Sequence, residues 1–107
     1  MSGAKVNEEV GDLPGQASAL GGLASAYARK GDWDRAIEHL EYARKTNDDL
    51  GDRYYLSITL QKLARANLAT DQIDDVIECA QEAVRVSRGK QLERAEQLLA
   101  ELSQQGR

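Results

Sequence analysis

Residues 20–43 read LGGLASAYARKGDWDRAIEHLEYA, and the fold follows from this stretch. Leu20, Leu23, Ala24, Tyr27 and Ala28 stand at i, i+3, i+4, i+7 and i+8, the spacing of one apolar helix face. Lys30-Gly31-Asp32 interrupts that period with a cation suited to a helix's last turn, a glycine that tolerates left-handed backbone, and an aspartate able to cap the next helix. The stripe resumes at Trp33, Ile37, Leu40 and Ala43 or Arg44. The spacing therefore predicts two helices joined by a tight turn, the first from Gln16 to Lys30 and the second from Trp33 to about Asn47.

The same plan recurs forty residues later without a gap. Leu20, Leu23, Ala24 and Ala26 fall over Leu60, Leu63, Ala64 and Ala66, and Asp34, Ile37, Glu38 and Ala43 over Asp74, Ile77, Glu78 and Ala83. Upstream, Val6 to Asp12 falls over Thr46 to Asp52, with Asn7, Gly11 and Asp12 matching Asn47, Gly51 and Asp52. A fixed period of this length is the signature of a repeat architecture. The second unit is expected as helices from about Arg53 to Ala69, with Leu56, Leu60, Leu63, Ala64 and Leu68 on its stripe, and from Ile73 to Ser87. Between them Asp71 and Asp74 have the spacing of a capping box built with the shorter acid. A last amphipathic helix, from Gln91 to about Gln104, carries Leu92, Ala95, Leu98, Leu99 and Leu102 inward and charges outward, as a closing cap would. Ala24, Ala64, Ala36 and Ala43 stand where helices of a hairpin would cross, and close crossings need small side chains.

The fold class is all-α, a single domain over residues 1–107 of about five helices. Its expected divisions are a first repeat at about 13–50, a second at about 52–88, a capping helix at about 90–104, and a tail at 1–12 read as the end of a preceding repeat. Composition agrees: good helix formers are plentiful, while the chain has no Phe and one Pro. A net charge of −4 with interleaved signs argues against nucleic acid, and the sequence pI is about 5.0. No run approaches the ~20 apolar residues of a membrane span, and the polar, acidic start does not read as a signal peptide. One cysteine, Cys79, fits a reducing compartment. A soluble, cytoplasmic protein is the expectation.

Leu20, Leu23, Ala24, Tyr27, Gly31-Asp32-Trp33, Ala36, Leu40 and Ala43 together resemble the tetratricopeptide repeat, over about residues 6–87. The second unit matches less closely: Asn67 stands for Tyr27, Asp71-Gln72-Ile73 for Gly31-Asp32-Trp33, and Val76 and Ala80 for Ala36 and Leu40. The period of forty, against about thirty-four in the common form, resembles a long-helix branch in which a Leu-Gly-Asp-Arg step links units, here Leu50-Gly51-Asp52-Arg53. The resemblance implies a right-handed superhelical array of two helix-turn-helix repeats plus a C-terminal capping helix, with first helices lining a concave groove. It places Ser18, Gly21, Gly22, Ser25 and Arg29 on that groove from the first unit, and Ile58, Gln61, Lys62, Arg65 and Ala69 from the second. Gly21-Gly22 and Gln61-Lys62 stand where the branch often carries an Asn pair that grips a peptide backbone.

The implied function is a non-enzymatic adaptor or scaffold for a protein or peptide. Arg29, Lys62 and Arg65 would gather cations in an acidic chain, which suits an acidic or C-terminal carboxylate ligand; the alternative is that all three are solvated or paired with nearby acids. A module that assembles with copies of itself through exposed repeat ends, around Leu20, Leu23 and Tyr27, is a second reading. A third makes the chain the sensor fragment of a bacterial regulator. Catalysis, cofactors and metals are not expected. His39 is the only histidine, no phosphate-cradling glycine loop is present, and His39 with Cys79, forty apart, supplies two ligands where a structural zinc needs four.

Overall fold

The computed structural model describes residues 13–105 and holds five α-helices, with no strand among the described residues. These are α1 (Leu13–Arg29), α2 (Trp33–Leu50), α3 (Arg53–Ala69), α4 (Ile73–Val86) and α5 (Gly89–Gln105). The forty-residue period is visible in the backbone, since α1 and α3 begin at 13 and 53 and α2 and α4 at 33 and 73. The tail expected at 1–12 lies outside the described residues. Helix α1 starts earlier than the apolar period suggests, at Leu13. Pro14 is accommodated because the first turn leaves its N–H positions unpaired anyway. Helix α5 likewise starts at Gly89, two residues before the expected Gln91.

The turns explain the boundaries. Gly31 takes φ +80°, and Asp32 caps α2 by accepting from the Arg35 N–H at 3.4 Å. Gly51, at φ +69°, closes α2 with its N–H on the carbonyls of Asn47 and Asp48. Asp52 then caps α3 by accepting from the Tyr55 N–H at 3.1 Å. The second hairpin makes the same turn with other residues. The Asp32 N–H donates to the Tyr27 carbonyl and the Gln72 N–H to the Asn67 carbonyl, both at 2.9 Å. Here the expected Asp71/Asp74 capping box does not form. Asp71 occupies the left-handed position that Gly31 fills in the first unit, at φ +62°, so the cap falls to Gln72, which makes no side-chain cap bond.

α1 packs on α2 and α3 on α4 as antiparallel hairpins, α2 joins α3 across the repeat junction, and α5 closes the array against α4 and α3. The alanines at the crossings are buried as their spacing requires, with Ala36, Ala64 and Ala80 fully enclosed. Leu40, Leu56, Leu60, Leu63, Leu98 and Leu102 fill the space around them. Two leucines of the predicted stripes lie exposed instead. Leu23 is 46% exposed although its repeat counterpart Leu63 is 1% exposed, and Leu68 lies exposed near the end of α3. The difference at Leu23 is one of neighbours: α3 has α2 on one side and α4 on the other, while α1 packs extensively only on α2 among the described elements.

Where α3, α4 and α5 meet, four buried polar side chains pair in series. Gln61 Nε2 donates to Ser57 Oγ and to Gln91 Oε1, each at 3.1 Å. Ser57 hydrogen-bonds Ser87, which donates to the Ala83 carbonyl. Each buried head group is thereby matched, so the junction avoids the penalty of an unpaired polar atom.

Candidate ligand groove

Side chains three or four apart on a helix share a face, and Ser18, Gly21, Gly22 and Ser25 form such a row on α1. This row is one wall of an open groove of about 470 Å³. Tyr55, Ile58, Thr59 and Lys62 of α3 line it opposite, and Asn47 and Asp52 complete the lining. The α1 wall is flat because nothing on it is larger than serine. Among the described residues a Cβ built at Gly21 or Gly22 would meet nothing within 4 Å, so neither glycine makes room for another described part of the chain. Two helix-interior glycines still cost roughly 1 kcal/mol each against alanine.

The groove is electrically polarised. Lys62 spans it from α3 to α1, its Nζ donating to Ser25 Oγ at 3.3 Å. Among the described residues none of Arg29, Lys62 and Arg65 makes an ion pair, and all three are exposed to solvent. Asp52 lies ten residues back along α3 from Lys62, about 15 Å at 1.5 Å per residue. The groove thus runs from a carboxylate end to an ammonium end. At the ammonium end it adjoins a smaller pit of about 210 Å³, lined by Ala24, Ala28, Trp33, Leu40 and Ala66 together with Ser25, Lys62 and Arg65.

Six of the residues expected on the groove line it together: Ser18, Gly21, Gly22, Ser25, Ile58 and Lys62. Arg65 borders the adjoining pit instead. Arg29 and Ala69 are exposed and line neither. Gln61 is buried, 6% exposed, because α5 covers that side of α3 and engages its amide. Asn47, Asp52, Tyr55 and Thr59 line the groove without having been expected there from sequence. Asn47 comes from a second helix, which the repeat pattern assigns to the other side. It is 3% exposed and donates to Thr59 Oγ1 at 3.2 Å, tying α2 to α3 beneath the groove. A signal was present: Asn47 and Ser87, forty apart, are both polar residues at the buried end of a second helix.

On the far side, the repeat equivalence of His39 and Cys79 does not bring them together, because each turns to the first helix of its own hairpin. The His39 ring lies 5.2 Å from the Tyr27 ring, and Asn67 Nδ2 approaches Cys79 Sγ at 3.8 Å, so equivalent positions carry equivalent contacts in different chemistry. Burial pushes the Cys79 thiol up to about 11, against a smaller opposing pull from Arg44. Arg44 joins the second helices of the two units by donating to Glu82 at 2.7 Å. Burial disfavours its charge, but Glu82 and Glu41 outweigh that and hold its pKa above the ordinary value. Among the described residues no three His, Cys, Asp or Glu side chains gather as metal ligands.

Paired helices stacked so that neighbouring hairpins share a core, with first helices flanking a common groove, define a helical-repeat solenoid. Within that class, the profile for the tetratricopeptide repeat matches residues 15–89, most of the chain, and the chain belongs to the tetratricopeptide repeat family. No curated protein matches it. Repeats of this family generally mediate protein–protein interaction or scaffolding. No described helix is long and apolar enough to cross a membrane.

Proposed function

We propose that this chain is a non-catalytic adaptor module that holds an extended peptide in the groove between α1 and α3, with the peptide's carboxylate-bearing part toward Lys62 and Arg65. The observation that carries the reading is the groove itself: about 470 Å³ of open space between two first helices, flat on one side, with Lys62 on its lining and Arg65 beside it, neither in an ion pair among the described residues. Charge-assisted hydrogen bonds reward a carboxylate there more than a neutral group. Titration with an acidic peptide tests it. Lys62→Ala/Arg65→Ala is expected to weaken binding at least about tenfold, or ~1.4 kcal/mol. Equal affinity for the wild type and the double variant ends the proposal.

A second reading has its own observation. Leu23 stands 46% exposed, with Leu20 and Tyr27 half-buried beside it on α1, where the counterpart Leu63 is covered. An open repeat face of this kind suits docking against a second copy. Sedimentation equilibrium separates the two readings: a tight dimer dispersed by Leu23→Lys favours assembly, and a monomer at high concentration removes it.

A further inference from the structure

The two ends of the groove differ in chemistry, and the proposed function uses only the ammonium end. At the other end Asp52 lines the groove half-buried and makes no ion pair among the described residues. Its Oδ1 caps α3 by accepting from the Tyr55 N–H at 3.1 Å, while its Oδ2 has no hydrogen bond among the described residues. A carboxylate accepts through both oxygens, so one acceptor is left over. Tyr55 lines the same end and is 54% exposed. The Tyr54 ring meets the Tyr55 ring at 81° with centroids 5.1 Å apart, an edge contact that steadies the pair without laying one ring flat on the other. On α1 the repeat equivalent of Tyr55 is Gly15, which also lines the groove and contributes no side chain to it. A spare carboxylate oxygen beside an exposed aromatic ring suits a planar cation twice, through a charge-assisted hydrogen bond and through stacking on the ring.

Building on the groove reading, we infer that Asp52 and Tyr55 form a subsite for a guanidinium, so that the groove takes a peptide with an arginine at one end and a carboxylate at the other. The guanidinium lies on the Tyr55 ring and donates to Asp52 Oδ2, while the carboxylate meets Lys62. The neighbouring Arg53 does not line the groove and makes no ion pair with Asp52. Asp52 and Lys62 are about 15 Å apart along α3. An extended peptide advances ~3.3 Å per residue and returns a side chain to the same side at every second position. An arginine and an acid four residues apart therefore share one side at roughly 13 Å, and their flexible side chains make up the remainder. Adjacent residues point to opposite sides and cannot reach both charges. The groove thus selects the spacing of two opposite charges.

Calorimetric titration of the full chain tests this with three acetylated, amidated pentapeptides. Arg-Gly-Ser-Gly-Glu carries the spaced charges, Gln-Gly-Ser-Gly-Glu lacks the cation, and Gly-Ser-Gly-Arg-Glu has the composition of the first with its charges adjacent. The first is expected to bind about tenfold tighter than either of the others, from the added charge-assisted bond and ring contact. Asp52→Asn keeps a good capping side chain. It is expected to bring the first peptide down to the level of the glutamine peptide and to leave the latter unchanged. Equal binding of those two by the wild-type chain overturns the subsite and leaves the groove standing, and so does an arginine advantage that survives Asp52→Asn. Equal binding of spaced and adjacent charges overturns the assignment of the arginine to Asp52. Failure of all three to bind overturns groove and subsite together. Should Asp52→Asn lose helicity by circular dichroism, the wild-type comparisons decide by themselves.

Discussion

Replacing Gly21, Gly22 or both by alanine probes how the α1 wall of the groove is built. Both glycines lie in the interior of a helix, and neither has a positive φ. A methyl group at either meets nothing within 4 Å, so no clash offsets the gain in helix propensity. That gain is about 0.8–1.0 kcal/mol per site, most of it from reduced freedom of the unfolded chain. Neighbours at i and i+1 do not face each other on a helix, so the double variant should approach ~2 kcal/mol. For a domain of this size each ~1 kcal/mol moves the melting temperature by roughly 4–8 °C. Urea unfolding followed by circular dichroism should show higher midpoints with unchanged slope. Gly31→Ala and Gly51→Ala supply the contrast: a Cβ there also meets nothing, yet φ is +80° and +69°. Left-handed backbone costs an L-residue about 1–2 kcal/mol. The same substitution should therefore stabilise at 21 and 22 and destabilise at 31 and 51. A loss of stability at Gly21 or Gly22 would refute the reasoning, because it would mean that those positions are not regular, unobstructed helix.

The remaining expectations concern the turns, the repeat junction and the buried thiol. Asp71→Gly relieves a non-glycine residue at φ +62° and should raise stability by about 0.5–1 kcal/mol in urea unfolding, whereas Asp32→Ala removes a helix cap and should lower it by ~1 kcal/mol. Glu82→Gln weakens the 2.7 Å bridge to Arg44; because both side chains keep partial solvent contact, a double-mutant cycle with Arg44→Gln should return about 1 kcal/mol or less, shrinking in high salt. Cys79 should resist Ellman's reagent at pH 8 in the folded state and react on unfolding, since the thiolate is the reactive form. Its folded pKa of about 11 lies above the ordinary 9.0, so its contribution to stability is whole below pH 9 and is lost as pH rises from 9 toward 11. Replacing Cys79 by alanine should remove that part of the alkaline decline.

Helix type and order are legible in the sequence because Leu20, Leu23, Ala24 and Tyr27, then Trp33, Ile37 and Leu40, keep a helical period and recur forty residues on. What a repeat register cannot convey is which copy of a position has a neighbour. Leu23 and Leu63 are equivalent in sequence, and only the second lies beneath another helix. The register puts Gln61 on the groove for a similar reason. Its counterpart Gly21 does line it, but α5 exists only beside the second unit and draws the Gln61 amide inward. The turn at Asp71 misleads differently. An acid three residues before another acid suggests a cap, and the backbone needs a left-handed residue there instead. Asn47 escapes the pattern because a period of helical faces sorts residues by side and does not reveal which buried amide ties two helices together.

The position of α3 has a consequence for how the molecule comes apart. It is flanked by α2 and α4 and touched by α5, while α1 is held mainly through α2. In a quasi-one-dimensional stack each element borrows its stability from its neighbours, so protection against amide hydrogen exchange should peak in α3 and decline toward the first hairpin. Openings that free α1 would dismantle one wall of the groove while leaving the other, with Ile58 and Lys62, in place. A ligand spanning both walls would then act as a clasp, and its grip should register as slowed exchange at α1 amides before any change in those of α3.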